Sequence, residues 1–254
     1  MPRPLVTVLR CDDVPEPDLS RHGDTHERML AHLRAAADRA GLDLAFRCVN
    51  ARGGELPAED DPSALFVTTG SATDPDCAEP WVVALTSWLS SAIAQGKPVY
   101  GICFGHQLLA RAFGGATGRH PGGWEVGVVP VHRAFHLPSG GARRGEPLSP
   151  PDAAAPPLDD VRLIMSHQDA VLRRPAQAIP WMVGDFCAEQ GYVLPGVAVT
   201  LQGHPEFEAA QASDLYRRRR ASLGDEMTDA AVASTRTRND GVDVTAEVLR
   251  YFLA

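Results

Sequence analysis

Short apolar, β-branched runs alternate with amphipathic stretches over the first 115 positions. LVTVL at 5–9 has the length and composition of a buried strand. From 25 to 40 the residues Met29, Leu30, Leu33, Ala36, Ala37 and Ala40 fall at helical spacing, and Gly41 supplies a stop. LDLAFRCV (42–49) and ALFVTT (64–69) read as strands separated by a Pro/Gly/acid loop at 50–63. WVVALTSWLSSAIAQG (81–96) predicts a helix closing on Gly96. KPVYGI (97–102) predicts a strand, and FGHQLLARAFGG (104–115) a helix that opens directly after it. This alternation predicts an α/β fold with a mostly parallel central sheet and helices on both faces.

Beyond Gly115 the rhythm changes. WEVGVVPV (124–131), VRLIM (161–165), AIPWMV (178–183) and VAVTL (197–201) are strand candidates with little helix between them, which predicts an antiparallel extension of the sheet. Residues 136–160, rich in Pro, Gly and Ala, read as a mobile surface loop, and the tail from Glu208 reads as helical. A domain break at that loop would separate residues that the chemistry below needs together, so one domain over 1–254 is expected. No internal repeat occurs.

Composition narrows the classes. The 254 residues are 44% hydrophobic and 22% charged, as in ordinary globular proteins, and are enough for a sizeable core. A net charge of -8 offers nothing to draw the chain to nucleic acid or an anionic membrane. No apolar run approaches the ~18–20 residues of a membrane span, and MPRPLVTVLRCDD lacks the layout of a signal peptide. Cys11, Cys48, Cys77, Cys103 and Cys187 are scattered without CxxC spacing, which reads as free thiols in the cytoplasm.

The richest stretch is Gly101-Ile102-Cys103-Phe104-Gly105-His106-Gln107. A strand runs into a helix with a cysteine at the junction and a glycine two residues away on each side, the thiol counterpart of the G-x-S-x-G nucleophile elbow. The positive end of the helix favours a thiolate there, and the Phe104 N–H would face a developing oxyanion. Taken alone, the motif reads equally well as a buried structural cysteine between packing glycines.

VAVTLQGHPEF adds a base. His204 and Glu206 lie two residues apart just beyond a strand, so both side chains can face one site, and Pro205 favours extended geometry at His204. A cysteine nucleophile needs an imidazole within about 3 Å and a carboxylate to orient it.

GICFGHQLLARAFGG together with LQGHPEF resembles the class I (triad) glutamine amidotransferase family. Thr69-Gly70-Ser71 resembles its oxyanion-strand loop, GGWEVG (122–127) the stretch after the nucleophile helix, and SHQDAV (166–171) the loop that contacts glutamine. The resemblance covers roughly 64 to 208 and implies a flavodoxin-like three-layer sandwich. It implies Cys103 as nucleophile, His204 as general base and then acid, and Glu206 as orienter. Gly70, Ser71 and Phe104 would supply the oxyanion hole. Gln107, Ser166, His167 and Gln168 would line the α-amino and carboxylate end of the substrate. The TGS and SHQD forms resemble stand-alone members, which are similar to the amidotransferase domain of GMP synthase and to γ-glutamyl peptidases. That GMP synthase domain usually has Gly where Gln168 stands, and neither an ATP-pyrophosphatase domain nor a GxxxxGK[ST] loop is found here.

The implied substrate is glutamine or a γ-glutamyl small molecule, with no cofactor. Three readings stay open: a self-sufficient γ-glutamyl amide hydrolase or transferase, an ammonia donor to a separate synthetase, and a catalytically silent relative. A silent relative usually lacks the cysteine or the histidine. Another thiol hydrolase or chaperone on the same fold would carry its acid and histidine elsewhere. His22, His26, His120, His132 and His136 form no metal-ligand motif, so no metal is expected. His106 reads as a packing or cap residue, Leu30/Leu33 and Leu85/Leu89 as core stripes, and the run Arg217 to Arg220 as a solvated helix face.

Overall fold

The computed structural model describes residues 2–140, 148 and 158–254. Five strands pair in parallel in the order β2 (Ala45–Val49), β1 (Leu5–Leu9), β3 (Leu65–Thr68), β4 (Val99–Ile102) and β11 (Ala198–Leu201). From β11 the sheet continues antiparallel through β10 (Gly191–Leu194), β9 (Ile179–Val183), β6 (Glu125–Arg133) and β7 (Asp159–His167). A separate antiparallel pair joins β5 (Ala116–Arg119) to β8 (Asp169–Arg173).

Helices cover both faces. On one, α2 (Thr25–Ala40) and α8 (Gly241–Leu253) bury Met29, Leu33, Val244 and Val248 against Val6, Val8, Val67 and Ile102. On the other, α3 (Pro80–Ala94) and α4 (Phe104–Ala112) bury Leu85, Leu89, Leu108 and Leu109 against Leu9, Phe66 and Val99. Val67 and Phe66 point opposite ways, as a pleated strand requires. Strands covered on both sides explain the continuous apolar runs in the sequence. The result is the expected three-layer α/β sandwich. After α1 (Asp18–His22), the α2 helix opens where the Asp24 N–H donates to Glu27 Oε2 at 3.0 Å, and it ends at Gly41 with φ 73.

The tail is helical in four pieces, α5 (Ala209–Arg218), α6 (Arg220–Leu223), α7 (Asp225–Ser234) and α8. Ala212 and Tyr216 of α5 and Ala231 of α7 pack on Val128 and Ile164 of the extension. Three strands escape the hydrophobic pattern. β5 (ATGR) and β8 (DAVLR) are polar and partly exposed, while β10 (GYVL) is only four residues long. The mobile-loop expectation for 136–160 falls largely on residues outside those described. At its start, Leu137 is buried and its N–H donates to Glu247 Oε1 at 2.6 Å.

Candidate active site

β4 runs directly into α4, and Cys103 is the joint. Its φ of 47 and ψ of -94 make it the one non-glycine residue with positive φ among the described residues. Such a backbone costs ~1–3 kcal/mol and persists only when its surroundings impose it. They do so from both sides. The Cys103 N–H donates to the Leu201 carbonyl of β11 at 2.7 Å, and the Cys103 carbonyl accepts from the Gln107 N–H at 3.1 Å. The flanking glycines allow a close approach: a β-carbon at Gly101 would lie 3.0 Å from the Gly105 carbonyl carbon, and one at Gly105 only 1.7 Å from Thr68 Oγ1. The Phe104 N–H belongs to the first turn of α4, where amides have no intrahelical acceptor and the helix presents positive charge. Burial pushes Cys11 up to about 12 and Cys187 up to about 11, which leaves both unreactive.

His204 and Glu206 follow β11, the strand paired with β4. The imidazole Nδ1 lies 3.0 Å from Glu206 Oε1, its ring stacks on Phe207 at 4.0 Å, and its backbone N–H donates to the Ile164 carbonyl at 2.8 Å. Burial alone would lower the His204 pKa. The negative charge at Cys103, with a hydrogen bond to it, and the Glu206 carboxylate outweigh burial and push it up to about 10. Burial likewise works against ionised Glu206, yet the His204 charge holds that carboxyl below its usual range. The Glu206 carboxylate and the protonated imidazole thus favour each other's charged form.

Gly70 lies against both groups: a β-carbon there would sit 2.6 Å from His204 Cε1 and 3.5 Å from Cys103 Cβ. Its loop is tied to the end of β1, where Thr69 Oγ1 accepts from the Cys11 N–H at 2.9 Å and the Thr69 N–H donates to the Leu9 carbonyl at 3.1 Å.

Gln107 is buried and stands beside Cys103, but its Nε2 is already engaged, donating to the Asp169 carbonyl at 2.7 Å and to Gln202 Oε1 at 3.2 Å. Gln202, which the sequence reading passed over, donates in turn from Nε2 to Cys103 Sγ at 3.6 Å. Its signal was present: Gln202 precedes His204 by two residues, the same period that pairs His204 with Glu206. His167 is likewise occupied, with Nε2 2.8 Å from buried Glu125 Oε2 and Nδ1 3.1 Å from the Asp169 carbonyl. Gln190 Nε2 also donates to that Glu125 oxygen at 2.8 Å. Gln168 Oε1 accepts from Arg119 at 2.6 Å and Ser166 Oγ from Arg219 at 2.7 Å.

Arg219 overturns the solvated-face reading of the arginine run. Arg217 and Arg220 do form ion pairs with Asp214, Asp225 and Asp229 on the exposed side. Arg219 instead turns inward and lies 5.1 Å over the Trp124 ring. Burial lowers its pKa, and the negative charge at Cys103 counters that.

Two clefts meet at these groups. One is lined by Cys103, Gln107, Ser166, His167, Gln168 and Arg219 and so holds all four expected substrate contacts. The other, about 90 Å³, is lined by Gly70, His204, Glu206, Arg28, Gln211 and Arg219. Ser71 and Arg219 border both. Among the described residues, no group of three or more His, Cys, Asp or Glu side chains could hold a metal ion, and no helix is long and apolar enough to cross a membrane.

The family model described as Glutamine amidotransferase class-I matches residues 24–220. Gamma-glutamyl peptidase 4 of Arabidopsis thaliana is 30% identical over 177 residues, 68% of this chain and 65% of its own length. Gamma-glutamyl peptidase 2 of the same organism is 28% identical over 156 residues, 61% of this chain and 58% of its own length. The matched part thus spans less than two thirds of either peptidase. A crystal structure of a glutamine amidotransferase from Thermotoga maritima superposes with a TM-score of 0.71 over 100% of both chains at 18% identity, a likeness of fold.

Proposed function

Because the chain belongs to the class-I glutamine amidotransferase family, we propose that it is an enzyme that cleaves the γ-amide of glutamine or of a γ-glutamyl conjugate through a γ-glutamyl thioester on Cys103. The observation that carries this reading is the strained Cys103 backbone at φ 47 beside an imidazole held 3.0 Å from a buried carboxylate. The likeness to γ-glutamyl peptidases supports it.

Cys103 Sγ adds to the γ-carbonyl carbon, and the oxyanion meets the Phe104 N–H and the Gly70–Ser71 backbone. As the C–N bond breaks, the proton on His204 passes to the leaving nitrogen, giving ammonia or an amine. Water then gives a proton to His204 as its oxygen attacks the thioester; the C–S bond breaks and glutamate leaves. An acceptor amine in place of water would give a new γ-glutamyl amide. Glu206 orients the imidazole and stabilises its charge throughout. The cleft at Gln107 and Ser166–Gln168 holds the glutamyl half. We read the chain as one amidotransferase domain working in the cytoplasm, on the strength of its five unpaired cysteines.

Intact-mass analysis with glutamine and a panel of γ-glutamyl amides tests this. The expected result is an acyl adduct confined to Cys103, with free amine released. Unchanged amide cleavage by Cys103→Ala would overturn it. Turnover that appears only on adding a synthetase would convert the reading to an ammonia donor.

A further inference from the structure

A continuous series of hydrogen bonds leads from the buried Glu125 carboxylate to the Cys103 sulfur. Glu125 opens β6 and His167 closes β7, and the antiparallel register sets them directly opposite each other. Glu125 Oε2 lies 2.8 Å from His167 Nε2, and the other ring nitrogen, Nδ1, lies 3.1 Å from the Asp169 carbonyl. That carbonyl also accepts from Gln107 Nε2 at 2.7 Å. The same nitrogen donates to Gln202 Oε1 at 3.2 Å, and Gln202 Nε2 donates to the sulfur at 3.6 Å. Glu125, His167, Gln107 and Gln202 are all buried, where such bonds are strong and an unmade one is costly.

The series has a direction. A carbonyl accepts and cannot donate, so Gln107 must turn its nitrogen toward Asp169. Both hydrogens of that nitrogen are then spent, one of them on Gln202, which must present its oxygen. The Gln202 nitrogen is left for the sulfur. Without the Asp169 carbonyl in place, either amide could turn over and set an oxygen against the thiolate.

The carbonyl is held in turn by the ring two residues before it. Only Gln168 separates β7 from β8, and the His167 ring clamps that step by bonding the Asp169 carbonyl. Both ring nitrogens face acceptors, so keeping both bonds takes a hydrogen on each. The Glu125 carboxylate, itself held by Gln190 Nε2 at 2.8 Å, supplies the matching charge.

Building on the reading of Cys103 as the γ-glutamyl nucleophile, we propose that His167, oriented by Glu125, is a positioning residue for the thiol. Through the Asp169 carbonyl, Gln107 and Gln202 it decides which amide atom faces the sulfur. A donor there favours the thiolate, and an amide oxygen opposes it. His167 thus acts on Cys103 without touching it.

Two variants of the full chain divide the ring's two bonds, because asparagine can place its nitrogen where Nδ1 stands and glutamine where Nε2 stands. Each is read by iodoacetamide alkylation of Cys103, followed by peptide mass mapping, and by single-turnover acylation with glutamine. His167→Asn keeps the bond to Asp169 and should stay within about threefold of wild type in both, less than one full hydrogen bond is worth. His167→Gln keeps the bond to Glu125 and should slow both by about fivefold to tenfold, the cost of one lost hydrogen bond. Combined with Gln202→Leu it should be no slower than the slower single variant, since both break one series, whereas independent sites would multiply. A purely structural role predicts the reverse order, because His167→Asn is the variant that takes a partner from the buried Glu125 carboxylate. Equal rates in the two variants, a slower asparagine variant, or a multiplied loss in the double variant would overturn the proposal. Alkylation needs no substrate and so separates the two levels. If alkylation follows the expected order while no γ-glutamyl substrate acylates Cys103, the cleavage reading fails and the positioning of the thiol stands. If glutamine acylates Cys103 and both variants react alike, only the positioning role fails.

Discussion

Gln202 Nε2 donates to Cys103 Sγ at 3.6 Å, so the segment after β11 that carries His204 and Glu206 also touches the thiol proposed as nucleophile. The same amide accepts from Gln107 through Oε1 at 3.2 Å, which links the sulfur to the floor of the glutamyl cleft. Replacing Gln202 with Leu removes a donor from the sulfur and an acceptor from Gln107. Single-turnover acylation should slow by about tenfold, as expected for one lost hydrogen bond of this kind. KM for glutamine should rise with it, because Gln107 loses one of its two anchors. Rapid-quench kinetics check both, and an unchanged acylation rate would remove Gln202 from the machinery.

The raised His204 pKa has a sign that can be measured. Its contribution to stability is full below the unfolded value of 6.5 and is lost as pH rises through about 10. Glu206, held low in the folded state, contributes above its ordinary 4.5 and loses that contribution as pH falls through its lowered folded value. Glu206→Gln removes one of the two charges that hold the His204 proton. The alkaline limb of kcat/KM should therefore move from near pH 10 to lower pH, with kcat down about 10²–10⁴-fold. A pH–rate profile of the variant that overlays the wild type would show that Glu206 does not set the imidazole.

Gly70→Ala places a β-carbon 2.6 Å from His204 Cε1, so the ring must shift from its present place. A displacement of about 1 Å in such a site costs about a hundredfold in rate. The expected outcome is that loss in kcat with a melting temperature within a few degrees of wild type, since the clash falls on one side chain. Calorimetry alongside steady-state kinetics separates this from general unfolding.

Gly105→Ala should act the other way round. Its β-carbon would meet Thr68 Oγ1 at 1.7 Å and Thr68 Cβ at 2.7 Å, between α4 and β3. Overpacking of this kind costs ~1–3 kcal/mol or more, read as an earlier urea midpoint. The double variant with Thr68→Ala should recover part of the loss, because the nearest atom is gone while the β-carbon remains.

Much of this was legible in the chain. Runs such as LVTVL and ALFVTT announce doubly covered strands because such strands tolerate no polar face, and the alternation with helices follows from that. The elbow was legible because only Gly101 and Gly105 satisfy its clearances. β5 and β8 were hidden because they are partly solvated and lack a hydrophobic stripe. The polar network was hidden for another reason. Glu125 Oε2 meets both His167 Nε2 and Gln190 Nε2, and no local spacing encodes a meeting of residues 42 and 65 positions apart. Arg219 was misread because Arg217 and Arg220 in the same run do pair with surface acids, and one arginine's inward turn leaves no trace in composition.

The position of β11 has a consequence for how the molecule comes into being. It lies at the centre of the sheet, between β4 and β10, yet it is the final strand in chain order. The hydrogen bond from Cys103 to Leu201 that helps hold the strained elbow cannot form until that strand is inserted. A nascent chain that has emerged only as far as residue 195 carries a thiol with neither base nor enforced geometry. Chemical competence therefore arrives late and in one step, with the closure of a contact spanning about a hundred residues, and the half-made protein is spared a reactive cysteine during synthesis.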